Sequence, residues 1–133
     1  MRESNQRHQD RASAADACGL VLEFAGGTPA GFEAVRKDLE GRGILEADWA
    51  LQEAASLTKG QLAYMLCKSL GIRGGLIMSL FGTSRRYAFR ECVHLSLMAA
   101  GNSSDPVSGR ELIDALSRAE LHRQAGTTDS LRK

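Results

Sequence analysis

Leu57-Thr58-Lys59-Gly60-Gln61-Leu62-Ala63-Tyr64-Met65-Leu66 decides how the rest of this chain is read. Thr58 and Gln61 stand three apart, the spacing of a capping box. In that motif the threonine hydroxyl accepts the amide hydrogen of the third helical residue, and the glutamine side chain accepts that of the cap. The residues that follow place Leu62, Ala63, Met65, Leu66, Ser69 and Leu70 on one stripe, and Gly71 is set to end the helix. Fifty residues later Val107-Ser108-Gly109-Arg110-Glu111-Leu112 has the same form, opening a helix with Leu112, Ile113, Ala115, Leu116 and Ala119 on its buried side. Upstream of each box, Val35, Leu39 and Ile44 match Phe89, Val93 and Met98 at a spacing of 54, which makes the second connecting loop four residues shorter. The repeated unit is a helix, a loop and a capped helix.

Outward from the repeat, Ala14, Ala17, Cys18, Val21, Leu22 and Ala25 recur at three- and four-residue steps, so an N-terminal helix is expected until Gly26-Gly27. Thr28-Pro29 is expected to start the next helix, with proline at its first position. That helix carries Phe32, Val35 and Leu39 and ends near Gly41 to Gly43. Glu46 to Ser56 is read as a loop holding the only tryptophan, Trp49. Leu76 to Phe81 is read as a short buried helix. Ser84 is expected to cap a helix with Tyr87, Phe89 and Val93, and Gly101 to Pro106 is a loop dense in turn formers. The expected architecture is all-α. A flexible start at residues 1–11 and a flexible tail at 122–133 flank one helical domain at 12–121, made of units at about 28–72 and 84–121 plus the N-terminal helix. A hairpin of this kind exposes an apolar stripe, and two packed together enclose a common core.

From Phe32 to Ile72 the chain resembles the S-layer homology repeat, with a weaker copy from Tyr87 to Ala119. Gly43-Ile44, a loop, and then Leu57 to Leu66 with Leu70-Gly71 is similar to that family's helix ending in Gly-Ile, its loop, and its Thr-Arg-Ala-Glu helix start. The resemblance implies a non-catalytic module that attaches to cell-wall polysaccharide or peptidoglycan. It also implies that Lys59, with Thr58 before it and Gln61 two residues after it, takes the place of the arginine that contributes to anionic glycan recognition.

Composition narrows the alternatives. Seventeen Lys and Arg against sixteen Asp and Glu leave a net charge of +1, which gives no global field toward nucleic acid. The helix after Thr58 is mainly apolar where a DNA-reading helix needs outward polar and basic residues. No apolar run reaches the roughly 18 to 20 residues that span a bilayer, and Met1 to Arg11 lacks the apolar core of a secretory signal. The expected compartment is therefore cytoplasmic, or the cell envelope if coding sequence upstream supplies a leader. Cys18, Cys67 and Cys92 form no CxxC pair, and two of them fall in apolar helical patterns.

Few residues suggest chemistry. Cys92 and His94 stand two apart, which on a helix points them about 200° from each other and denies them a common metal. Gly71 to Gly75 lacks the lysine of a phosphate-binding loop and reads as a turn. Arg86 and Arg90, four apart on one helical face, are candidates for an anionic partner in the most basic part of the chain. Trp49 is either a platform for a sugar ring or a plug for the core. The sequence supports no enzyme mechanism and no cofactor. It leaves two readings, an envelope-glycan anchor and an intracellular helical adaptor for a protein partner.

Overall fold

Three side-chain caps start three helices. The Ser13 hydroxyl accepts from the Asp16 amide at 3.1 Å and opens α1, Ala14–Phe24. At Thr58 both halves of the capping box form: its hydroxyl accepts from Gln61 N at 3.1 Å, and Gln61 Oε1 accepts from Thr58 N at 2.9 Å. The Ser108 and Glu111 pair repeats this with both bonds at 3.0 Å. These two boxes start α3, Lys59–Leu70, and α5, Gly109–Arg132. Between them lie α2, Phe32–Gly41, and α4, Arg85–His94. This computed structural model describes residues 11–71 and 85–132, with 126–132 described by their backbone alone. The described residues are helical apart from turns and isolated bridges, as the apolar spacing predicts.

The residue just before each cap joins the other two units. Ala12 N donates to Val107 O at 2.8 Å, Val107 N to Leu57 O at 2.8 Å, and Leu57 N to Ala12 O at 3.2 Å. The three bonds close a ring, and all three residues are buried. A second tier surrounds it. Ala14 N and Ala15 N donate to Ala55 O and Glu53 O, while Lys59 N and Gly60 N donate to Asp105 O and Ser103 O. First-turn amides have no partner inside their own helix, and here the loop of the next unit supplies one.

The ring relates α1, α3 and α5 by an approximate threefold axis, and the three helices touch pairwise. The N-terminal helix is thus a third copy of the capped helix. Ala17, Leu62 and Leu112 occupy matching inward positions and are all buried. Burial of each such leucine contributes roughly 2 to 3 kcal/mol. On the outside, α2 covers α1 and α4 covers α3. Among the described residues no helix covers α5 in the same way. Ile113 is 54% exposed and Leu121 65%, although the positions equivalent to Ile113, Cys18 and Ala63, are buried.

Several sequence expectations shift. The α2 helix begins at Phe32 with Gly31 as its cap, not at Thr28-Pro29. The chain passes so close over Leu22 that a Cβ on Gly27 would collide with that side chain, and four further residues carry it clear before Phe32 can turn inward. The match of outer helices also moves by one residue. Leu39 O accepts from Ile44 N at 2.9 Å and Cys92 O from Leu97 N at 2.8 Å, so Val35, Leu39 and Ile44 correspond to Ala88, Cys92 and Leu97. The spacing is 53 and the second loop is three residues shorter. The sequence conceals this because Ser96, at φ 63°, holds the left-handed place that Gly43 fills at φ 76° in the first unit. The C-terminal helix continues past His122 to Arg132 where a flexible tail is expected. Arg123 ties it down by donating to Phe24 O at 2.7 Å and lying 4.1 Å over the Phe24 ring. Glu46 to Ser56 is a loop, as read, with one 3-10 turn at Ala47–Trp49. The expected helix at Leu76 to Phe81 and the cap at Ser84 lie outside the described residues.

Two outcomes test this arrangement. Ser96→Gly relieves a left-handed backbone at an exposed site, and chemical denaturation is expected to show a gain of about 0.5 to 1 kcal/mol. A charge placed at matching positions should be felt unequally. Ala63→Lys prevents folding beneath α4, whereas Ile113→Lys changes stability by no more than about 0.5 kcal/mol.

Candidate functional site

Cations rarely begin a helix, because the N-terminal end of the macrodipole is positive and each costs about 0.3 to 1 kcal/mol there. Yet α4 opens with Arg85-Arg86, follows with Arg90, and has no acid in its first turn. All three arginines are exposed. The i, i+4 spacing puts Arg86 and Arg90 on one face, as the sequence suggests, and that face forms one wall of a cleft of about 400 Å³. Phe89 and Val93 lie beneath it, and residues 100–103 form the opposite wall. A second cleft of about 370 Å³ adjoins it, where Arg85 and Arg86 meet Thr58, Gly60, Ser103 and Ser104. The two share Arg86 and Ser103, and among the described residues no acidic side chain lines either.

The wall opposite α4 is held by backbone bonds. Ser103 O and Asp105 O receive the Gly60 and Lys59 amides, and Asn102 Oδ1 accepts from Ser104 N at 2.9 Å. A Cβ on Gly60 would come 3.2 Å from Ser103 O and 3.3 Å from Arg85 Cβ, so glycine lets the loop seat closely on α3. Arg85 is braced from its other side. Its guanidinium lies 5.6 Å over the Trp49 ring, which meets Tyr64 edge-on at 5.0 Å. Tyr64 in turn donates to Glu46 at 2.6 Å. Burial and that bond, with the charges of Glu46 and Asp48, push the Tyr64 hydroxyl well above its ordinary range.

The other sequence candidates are placed differently. Lys59 lines neither cleft: its Nζ lies behind Gly101 of the cleft wall, 3.4 Å from Glu111 Oε2, and its side chain is only 16% exposed. Thr58 and Gln61 are engaged in the cap, and Gln61 is 8% exposed. Every amide in the first turn of α3 has a protein acceptor, so the helix start offers none to a ligand. Thr58 still contributes to the cleft wall. Trp49 is half-buried between Tyr64 and Arg85, closer to a plug than to an open platform. The structure therefore brings Thr58, Arg86 and Arg90 together and separates them from Lys59 and Gln61. Sequence reasoning missed Asn102, Ser103 and Ser104 as members of the site. The run Asn102 to Asp105 announces a turn, but only its seat on α3 brings it beside the arginines.

The matching cleft of the other unit has the opposite character. Glu33 stands where Arg86 does, Glu53 lies across from it, and Phe32 and Leu51 complete the wall. A hydrogen bond from Arg36 and that residue's charge hold the Glu33 carboxyl below its ordinary range. Cys92 is buried while His94 faces outward, and no group of three metal-ligating side chains occurs among the described residues. No described helix is long and apolar enough to cross a membrane. Comparison with family models, with curated proteins and with solved structures finds no match to the chain.

The Lys59 and Glu111 contact links the two capping boxes and makes their stability depend on pH. Burial pushes the Glu111 carboxyl up, but the Ser108 amide, the Ser108 hydroxyl and Lys59 together outweigh it, and the net shift is downward. A lowered folded value means that the contribution is complete above the unfolded carboxyl range, about 4.3, and is lost as pH falls through the folded value. Melting temperature measured from pH 6 to pH 3 is accordingly expected to fall less steeply in Glu111→Gln than in the unaltered chain. An unchanged slope would remove Glu111 from the acid response.

Proposed function

We propose that this chain is a non-catalytic binding or anchoring module of the S-layer homology type that attaches to an anionic cell-envelope glycan through the paired clefts at Arg85, Arg86 and Arg90. The observation that carries the reading is three exposed arginines set against hydroxyl and amide side chains, with no acid among the described residues of the lining. Guanidinium groups meet carboxylate or phosphate oxygens with two parallel hydrogen bonds, and hydroxyl and amide groups suit the neutral hydroxyls of a sugar. Clefts of this size hold one or two sugar rings. The sequence resemblance around Leu57 to Leu66 supports the same class of ligand, with the cationic role resting on the α4 arginines in place of Lys59.

Co-sedimentation of the purified chain with cell-wall sacculi from its source tests the proposal. Saturable pelleting is expected, weakening as salt screens the exposed charges. The Arg86→Ala, Arg90→Ala double variant should lose at least about tenfold in affinity, the scale of two charge-assisted hydrogen bonds. Lys59→Ala should pellet as the unaltered chain does. Equal pelleting by the double variant would sink the assignment.

One observation favours a second reading, an adaptor for a protein partner. The face of α5 that no described helix covers presents Ile113 and Leu121 to solvent, and Ile113 borders a cleft of about 510 Å³ with Leu20, Pro29, Ala30 and Leu112. A partner helix would suit such a face better than a glycan would. Failure of the unaltered chain to pellet, together with a helical partner whose capture is lost in Ile113→Lys, would select this reading.

A further inference from the structure

Position for position, the two outer helices grip the inner ones with different side chains. Between α1 and α2 the positions concerned are Leu22 and Leu39, both fully buried. Under α4 the equivalent residues are Cys67 and Cys92, also fully buried, with their sulfurs 3.8 Å apart. Cys67 Sγ lies 3.8 Å from Ala88 O, and Cys92 Sγ lies 3.7 Å from Ala63 O. Each sulfur therefore rests on the backbone of the opposite helix, and these reciprocal contacts make α3 and α4 antiparallel and closely apposed. At the third equivalent place, on the face of α5 that no described helix covers, stands an exposed serine, Ser117.

We propose that Cys67 and Cys92 are the sites of an intramolecular disulfide that fastens α4, and the arginines it carries, to α3. A sulfur–sulfur bond of about 2.05 Å requires these atoms to close by less than 2 Å, within reach of side-chain rotation between helices so closely packed. The oxidant is a small-molecule disulfide such as oxidised glutathione. Cys67 sulfur attacks one donor sulfur and releases the first glutathione thiol. Cys92 sulfur then attacks Cys67 in the mixed disulfide and releases the second. The protein thiols give up two electrons and two protons, and the donor leaves as two thiols. Both sulfurs are shielded in the folded chain, so the exchange belongs to folding, before α4 seats on α3. Before α4 seats on α3 neither thiol has the buried contacts of the folded chain, so the same link forms whichever sulfur attacks first. Cys18 is the internal control: it is buried under α2, and burial pushes its thiol up to about 11.

The experiment is refolding of the full chain from denaturant with reduced and oxidised glutathione, then alkylation under denaturing conditions and peptide mapping by mass spectrometry. The expected product lacks two hydrogens, carries a single Cys67–Cys92 link and is alkylated only at Cys18. The link closes a loop of about 25 residues, so the melting temperature is expected to rise by on the order of 10 °C and to fall back with dithiothreitol. Cys18→Ser should form the same link. Full alkylation at Cys67 and Cys92 after oxidative refolding, a link that includes Cys18, or a lower melting temperature on oxidation would each overturn the proposal.

Discussion

Three backbone hydrogen bonds, from Ala12 to Val107 to Leu57 and back to Ala12, hold together parts of the chain that lie 45 to 95 residues apart. Their donors and acceptors are buried, and an unpaired amide or carbonyl at that depth would cost roughly 1 to 3 kcal/mol, so the ring forms complete or not at all. Each member immediately precedes a cap residue. The ring therefore fixes where α1, α3 and α5 begin, and from those origins it fixes which faces meet. The inward stripes at Ala17, Leu62 and Leu112 follow from this geometry, as does the seat of residues 103–105 on the first turn of α3.

The approximate threefold axis is broken in ways that separate scaffold from function. Inner positions keep their apolar character in all three copies. Outer positions diverge: Leu22 becomes Cys67 and then Ser117, Cys18 becomes Ala63 and then Ile113, and the cleft residue Glu33 becomes Arg86. Packing restricts the first set because a lost methylene in a closed core leaves a void. The second set is free to change because each outer helix need only match its own inner helix. A basic cleft beside α4 and an acidic one beside α2 can thus rest on the same frame.

Much of the candidate site depends on loop placement. Arg86 and Arg90 were legible as a pair because helical periodicity alone puts residues four apart on one face. Lys59 was legible as the basic residue of a repeat, but its direction was not, since a long side chain at the first helical position can reach the solvent or a neighbouring unit. Glu111, fifty-two residues away, decides the matter by drawing it inward. The offset of the outer helices was misread by one residue for a related reason. Ser96 takes a backbone shape normally announced by glycine, and the apolar pattern by itself preferred Val93 over Cys92 as the partner of Leu39.

The sequence by itself determined the helical class, the two capping boxes, the N-terminal helix and the extent of the Glu46 to Ser56 loop. These depend on contacts within three or four residues, where side-chain identity and spacing carry the information. Only the tertiary structure decided that the N-terminal helix is a third equivalent of the capped pair, that α5 is left uncovered among the described residues, and that Asn102 to Ser104 face the arginines. The reason is that the bonds responsible run between main-chain amides and carbonyls. Those groups are the same at every residue, so no side chain records in advance which of them will meet.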